Sequence, residues 1–130
     1  MLAIDTNVVV RFLTADDPDQ ARRAKALIEN HRVMASSTVL LEAEWVLRSG
    51  YGFSKEEVLR ALRTFSGLRN LSLQEPERVA QAMDWAERGL DFADALHLAA
   101  AADCEAFVTF DRRLMERAKR LDSLNVRDPD

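Results

Sequence analysis

Very little in this chain of 130 residues can cross-link or chelate through sulfur or imidazole: there is one cysteine, Cys104, and there are two histidines, His31 and His97. A single cysteine excludes an intrachain disulfide framework, and with two histidines it cannot supply a zinc-finger spacing. Four glycines and three prolines leave no room for a Gly-rich phosphate loop or a Pro/Gly/Ser linker. No stretch approaches the roughly 20 apolar residues that cross a bilayer, so no membrane partner is expected. The opening Met1-Leu2-Ala3-Ile4-Asp5 lacks a basic segment followed by a long apolar run, so no secretion signal is expected there, and the expected location is cytoplasmic. Positive charge is also short, with 18 basic against 22 acidic side chains and a net charge of −4. That balance argues against a passive nucleic-acid coat, whose affinity rests on excess Lys and Arg. It leaves open an enzyme that meets phosphates through bound cations, which invert the local field. Arginine heavily outnumbers lysine, either as a compositional habit or because its fork suits phosphate.

What is present is apolar and periodic. Hydrophobic residues make up 48% of the chain, and at this length about two-thirds of the surface is buried on folding. One domain spanning residues 1–130 is expected, with no need of disulfides or structural metal. Short apolar runs alternate with helical segments. Met1–Ile4, Arg32–Ala35, Leu71–Leu73, Ala106–Phe110 and Leu124–Val126 read as strands, the first of them buried. Helices are expected over Asn7–Thr14, from Pro18 to about Asn30, from Ser37 to about Ser49, from Ser54 through Phe65, and over Pro76–Arg88, Asp91–Ala102 and Arg112–Leu121. Asp17 before Pro18 is a start signal, and Ser54 with Glu57 forms a capping box. Alternating strands and helices imply right-handed crossovers and a mainly parallel sheet covered on both faces. In such sheets, sites lie beyond the carboxyl ends of the strands.

Four acids stand at or near such positions. Asp5 follows Leu2-Ala3-Ile4, so it is either a helix N-cap or a site residue, and Thr6 or Asn7 could cap in its place. Glu42 lies at the margin of the apolar face formed by Val39, Leu40, Ala43, Val46 and Leu47 and has no cation three or four residues away. Glu44, by contrast, has Arg48 four residues on, the favourable order for a surface ion pair. Asp91 reads as an N-cap. Asp94 lies in the first turn, favoured by the macrodipole, yet shares a face with Leu98 and Ala101 and can point inward. Asp111 follows the last long apolar run, again as cap or site residue. Adjacent carboxylates repel and raise one another's pKa, so a cluster of them requires cations. Hard oxygen ligands suit Mg²⁺, with Mn²⁺ a substitute. The chemistry implied is metal-assisted phosphodiester hydrolysis.

These residues resemble a known family. Asp5-Thr6-Asn7-Val8-Val9-Val10-Arg11-Phe12-Leu13, Leu41-Glu42, Asp91-Phe92-Ala93-Asp94-Ala95-Leu96 and Thr109-Phe110-Asp111 are similar, in order and spacing, to the PIN-domain ribonucleases, above all the VapC-type toxins of type II toxin–antitoxin systems. The resemblance spans essentially the whole chain. It implies a three-layer α/β/α sandwich with a mainly parallel sheet of about five strands, and a Mg²⁺- or Mn²⁺-dependent endoribonuclease. It carries the core acidic positions onto Asp5, Glu42 and Asp94 and a more variable fourth onto Asp111, and it gives Thr6, Asn7 and Thr109 supporting roles. The metal is expected chiefly on Asp5 and Asp94, with Glu42 and Asp111 reaching it through water or a second ion. Implied partners are the RNA substrate, a VapB-type antitoxin and a second copy of the chain, with higher-order toxin–antitoxin assembly. Arg11, Arg112 and Arg113 are candidates for holding RNA phosphates, against the plainer reading of solvated charge.

Two other functions compete. A PIN-like nuclease acting in RNA maturation or on DNA keeps the same acids. A non-catalytic, metal-responsive α/β binding module needs a lysine opposite a phosphoacceptor aspartate, and no plausible lysine follows a strand. His97, one turn beyond Asp94, is attractive as a base but is more often a packed or capping residue. Cys104 reads as a small core or near-surface residue, Trp45 and Trp85 as core or interface, and Trp45, off its helix's main apolar face, as a candidate dimer contact.

Overall fold

The computed structural model describes all 130 residues. Helices and parallel strands alternate along the chain, giving the α/β class expected. The chain forms two compact units, Met1–Pro76 and Glu77–Asp130.

The first unit holds β1 (Leu2–Ala3), α1 (Thr6–Thr14), α2 (Pro18–Asn30), β2 (Val33–Ala35), α3 (Ser37–Gly50), α4 (Lys55–Ser66) and β3 (Leu71–Leu73). Its sheet is parallel, in the order β1-β2-β3, with Leu2 beside Val33 and Val33 beside Leu71. Local sequence accounts for the helix starts. Asp17 accepts from the Gln20 amide at 3.1 Å with Pro18 at the first helical position, and Ser36 accepts from the Val39 amide at 3.2 Å. The Ser54–Glu57 capping box closes in both directions, at 3.1 and 3.0 Å. Those bonds to Ser54 hold the Glu57 carboxyl below its usual pKa. The Asn70 amide donates to the carbonyls of Ile28 and Glu29, tying the end of α2 to the start of β3. Leu40, Ala43 and Leu47 of α3 and Val58, Leu62 and Phe65 of α4 are fully buried, and Phe12 meets Phe65 edge-on at 5.8 Å.

The second unit holds α5 (Pro76–Glu87, entered at the last residue of the first unit), α6 (Phe92–Ala100), β4 (Ala106–Val108), α7 (Arg112–Ala118) and β5 (Asn125–Arg127). Strands β4 and β5 pair in parallel, Phe107 beside Val126. Gly89, at φ 111°, makes the turn out of α5 that a side chain would strain. Val79, Ala82, Met83, Trp85, Phe92, Ala95, Leu98 and Leu114 are buried.

Several boundaries differ from the sequence reading. The five strands are present and parallel, but hydrogen-bonded as three and two. Strand β1 is not buried: Leu2 is 44% exposed, because β1 hydrogen-bonds one neighbour only and the central β2 supplies the buried Val33 and Ala35. Strand β4 stops at Val108 because Asp111 caps the next helix, which turns the chain and leaves Phe110 84% exposed. The last helix ends at Ala118, and its carbonyls there are met by tighter bonds from Arg120 to Arg117 and from Leu121 to Ala118. Cys104 is exposed, Trp85 is buried and Trp45 is 60% exposed. No helix is long and apolar enough to cross a membrane.

Candidate functional site

In the first unit, Asp5 stands just beyond β1 and is the N-cap of α1. Its Oδ1 accepts from the Val8 amide at 3.1 Å, so the capping duty falls on Asp5 itself and not on Thr6 or Asn7. Its other oxygen has no protein partner. Parallel pairing of β1 with β2 puts Asp5 at the same carboxyl edge as Ser36, the cap of α3. Glu42 lies along α3, exposed, with no hydrogen bond or ion pair on its carboxylate. Glu44, expected on the surface, is buried instead. At 3.6 residues per turn, the buried stripe of Leu40, Ala43 and Leu47 includes position 44 and places position 42 nearly opposite. Arg48 does hold Glu44, at 2.8 and 3.3 Å, and brings its charge in from a partly exposed position.

Arg11 of α1 donates Nε to Gln20 at 2.8 Å and Nη1 to both Asp16 and the Tyr51 hydroxyl, each at 2.9 Å. Tyr51 in turn donates to Asp16 at 2.7 Å, and so does the Thr14 hydroxyl at 3.0 Å. The hydrogen bond from Tyr51 is the leading reason that the Asp16 carboxyl lies below its usual pKa. These bonds staple the end of α1 to the α2 entry and the α3 exit, so two of the three guanidinium nitrogens of Arg11 serve the fold. Sequence alone gave no signal of this staple, because Tyr51 is forty residues from Arg11.

In the second unit three acids stand at the starts of helices α6 and α7. Asp91 caps α6, accepting from the Asp94 amide at 3.2 Å. Asp111 caps α7, accepting from the Leu114 amide at 3.1 Å, and donates its own amide to the Thr109 hydroxyl at 3.0 Å. Asp94 itself is half-buried, and its pKa is raised, first by burial and then by the charges of Asp91 and Asp111. His97 and Arg117 oppose that shift. Arg117 was not singled out from sequence, although its helical spacing from Arg113 and Arg120 puts all three on one face. Arg112 and Arg113 open α7, exposed.

The sequence-derived acids thus divide evenly: Asp5 and Glu42 in one unit, Asp94 and Asp111 in the other. In neither unit do three Asp, Glu, His or Cys side chains converge to hold a metal by themselves. The donor chemistry nevertheless fits a hard divalent cation, since these are carboxylates and hydroxyls without thiolate. A half-buried carboxyl whose ionisation two like charges oppose is where such an ion is most favoured.

The sequence matches the PIN domain family over residues 2–121. PIN domains are generally nucleases and typically use divalent metals. A comparison with curated proteins finds no match to this chain. Among solved structures, the chain is similar to one from the crystal structure of VapBC2 from Rickettsia felis bound to a DNA fragment from their promoter. That likeness has 18% sequence identity and a TM-score of 0.40, covering 99% of this chain and 98% of the other. Because the family match leaves out only Met1 and the nine residues after Leu121, the chain belongs to the PIN domain family.

Proposed function

We propose that the chain is a single-domain, divalent-metal-dependent endoribonuclease, Asp5, Glu42, Asp94 and Asp111 supplying its metal-binding carboxylates. The observation that supports this most is Asp94, half-buried and pushed toward its protonated form beside Asp91 and Asp111. Mg²⁺, or Mn²⁺ in its place, would neutralise charge on the scissile phosphate and lower the pKa of the attacking water.

The protein's own part is orientation. Helix N-termini favour negative charge, and three of the acids sit on them. Asp5 is held by the Val8 amide, Asp111 by the Leu114 amide, and Asp91 grips the Asp94 backbone from the turn before it. Thr109 fixes the Asp111 backbone through its hydroxyl, and Thr6 and Asn7 are assigned supporting roles at Asp5. Preset carboxylates need no reorganisation when the ion and substrate arrive.

The motif resemblance extends the reading to a VapC-type toxin acting in the cytoplasm as a homodimer and inhibited by a VapB-type antitoxin. Incubating the purified chain with total RNA tests the chemistry. Cleavage that requires Mg²⁺ and vanishes in Asp94→Asn is expected; cleavage indifferent to EDTA or to that substitution sinks the reading. The toxin role predicts growth arrest on expression, relieved by a small protein encoded in the adjacent reading frame, and unimpaired growth would contradict it.

A further inference from the structure

In a chain with an acidic balance, residues 112–120, helix α7 and the start of the turn after it, carry five basic residues, Arg112, Arg113, Arg117, Lys119 and Arg120, against one acid, Glu116. Lys119 pairs with Glu116 at 3.0 Å. The four arginines are exposed and make no side-chain hydrogen bond or ion pair. With Glu116 they line a shallow depression of about 380 Å³. The Arg120 backbone beneath it is anchored, its carbonyl accepting from Arg88 at 2.8 Å.

We infer that Arg112, Arg113, Arg117 and Arg120 form a binding track for the phosphate backbone of single-stranded RNA, which the α7 depression receives beside Asp111. Like-charged guanidinium groups clustered without partners repel one another, and a polyanion relieves that repulsion. Planar forks match phosphate oxygens two at a time. Successive helical positions climb 1.5 Å, so Arg113 and Arg117 stand about 6 Å apart along the axis, a reach suited to consecutive phosphates. Asp111 caps the same helix, so a strand on this track begins beside that carboxylate. An acidic protein segment is the competing occupant. The depression, lined by four arginines and one glutamate with no apolar residue, favours the bare backbone of a nucleic acid. The inference rests on the ribonuclease reading for its choice of polyanion and assigns Arg11 to the fold instead.

The test is fluorescence anisotropy of a labelled 12-nucleotide oligouridylate with the full chain in EDTA, which prevents cleavage. The variant R112Q/R113Q/R120Q is compared with R32Q/R69Q, which removes two exposed arginines of the first unit, and circular dichroism confirms that both fold. The α7 variant is expected to bind at least about tenfold more weakly near 0.1 M salt, and its salt slope to flatten by about 2, since each lost phosphate contact is worth about 0.7 on single strands. The control is expected to stay within about twofold of wild type. Equal weakening in both variants, unaltered affinity in the α7 variant, no binding by wild type, or displacement of the RNA by oligoglutamate at equal charge would each overturn the inference. Mg²⁺-dependent cleavage of the same RNA is read separately. Cleavage with unaltered α7 binding removes the track and leaves the nuclease, whereas binding without cleavage removes the nuclease reading alone.

Discussion

Charge is largely paired in the first unit and segregated in the second. In residues 1–76, Arg11 meets Asp16, Arg22 and Arg23 meet Asp19, Lys25 meets Glu29, and Arg48 meets the buried Glu44. In residues 77–130, Arg78 meets Asp103 and Lys119 meets Glu116, but the charges of Asp91 and Asp111 oppose that of Asp94, while four arginines stand unpaired along α7 and the turn after it. Pairing lowers the free energy of the folded chain whether or not anything binds. Segregation raises it until a ligand of opposite sign arrives, and that is where function is most reasonably sought. Asp5 and Glu42 apart, the first unit's ionic groups therefore report on the fold, and the unpaired groups of the second are where the proposed function is tested.

The sharpest way to break this contrast is Asp94→Asn. Cleavage is expected to fall by about a hundredfold or more, the scale of losing a metal-orienting group, and the urea midpoint at pH 7 is expected to rise. The sign follows from a carboxyl whose folded pKa lies above its unfolded one. Such a group lowers stability as pH climbs past the unfolded value of about 3.9, so the substitution helps at pH 7 and not at pH 3. A fall in the urea midpoint would show that Asp94 is a structural acid like those of the first unit.

Arg48→Ala probes the opposite case. It strands the buried Glu44 carboxylate and is expected to lower stability by about 1–3 kcal/mol in urea unfolding, whereas Arg22→Ala, on an exposed pair, changes it by less than about 1 kcal/mol. Equal effects would mean that burial at Glu44 does not govern the cost.

The Arg11–Asp16–Tyr51 staple gives a smaller, pH-resolved signal. A carboxyl held below its usual pKa adds stability above the unfolded value of about 3.9 and loses it as pH falls further. Acid unfolding should therefore be less steep in Asp16→Asn, and Tyr51→Phe should reproduce part of that change. The smallest effect concerns the same corner. Ala15 sits at φ 54° between Thr14 and Asp16, and Ala15→Gly is expected to raise stability by up to about 1 kcal/mol in thermal melts, the left-handed penalty offset by glycine's greater freedom when unfolded.

Much of this was readable beforehand, for local reasons. Ser54 with Glu57, and Asp17 with Pro18, announce helices because their partners lie within one turn. Leu71–Leu73 is a strand in both the reading and the structure, being short, apolar and bounded by turn residues. Asp91 as a cap was equally local. Glu42 and Glu44 differ from their expected environments because the buried face of α3 is turned away from Val39 and Val46 toward position 44. Arg11 is in sequence a candidate for RNA phosphate or plain solvated charge, and its bonds to Gln20, Asp16 and Tyr51 appear only in the folded chain. The exposure of Leu2 depends on how many strands flank β1, which no property of residues 1–4 encodes.

The order of carboxylates along the chain, the helix starts that orient them and membership of the PIN family were settled by sequence, because caps, periodicity and motif spacing act over a few residues. Which charges are neutralised and which are left facing like charges was decided only by tertiary structure. Coulomb energy and desolvation depend on distance and burial in space, and residues 16 and 51, or 94 and 111, acquire those only when the chain is folded.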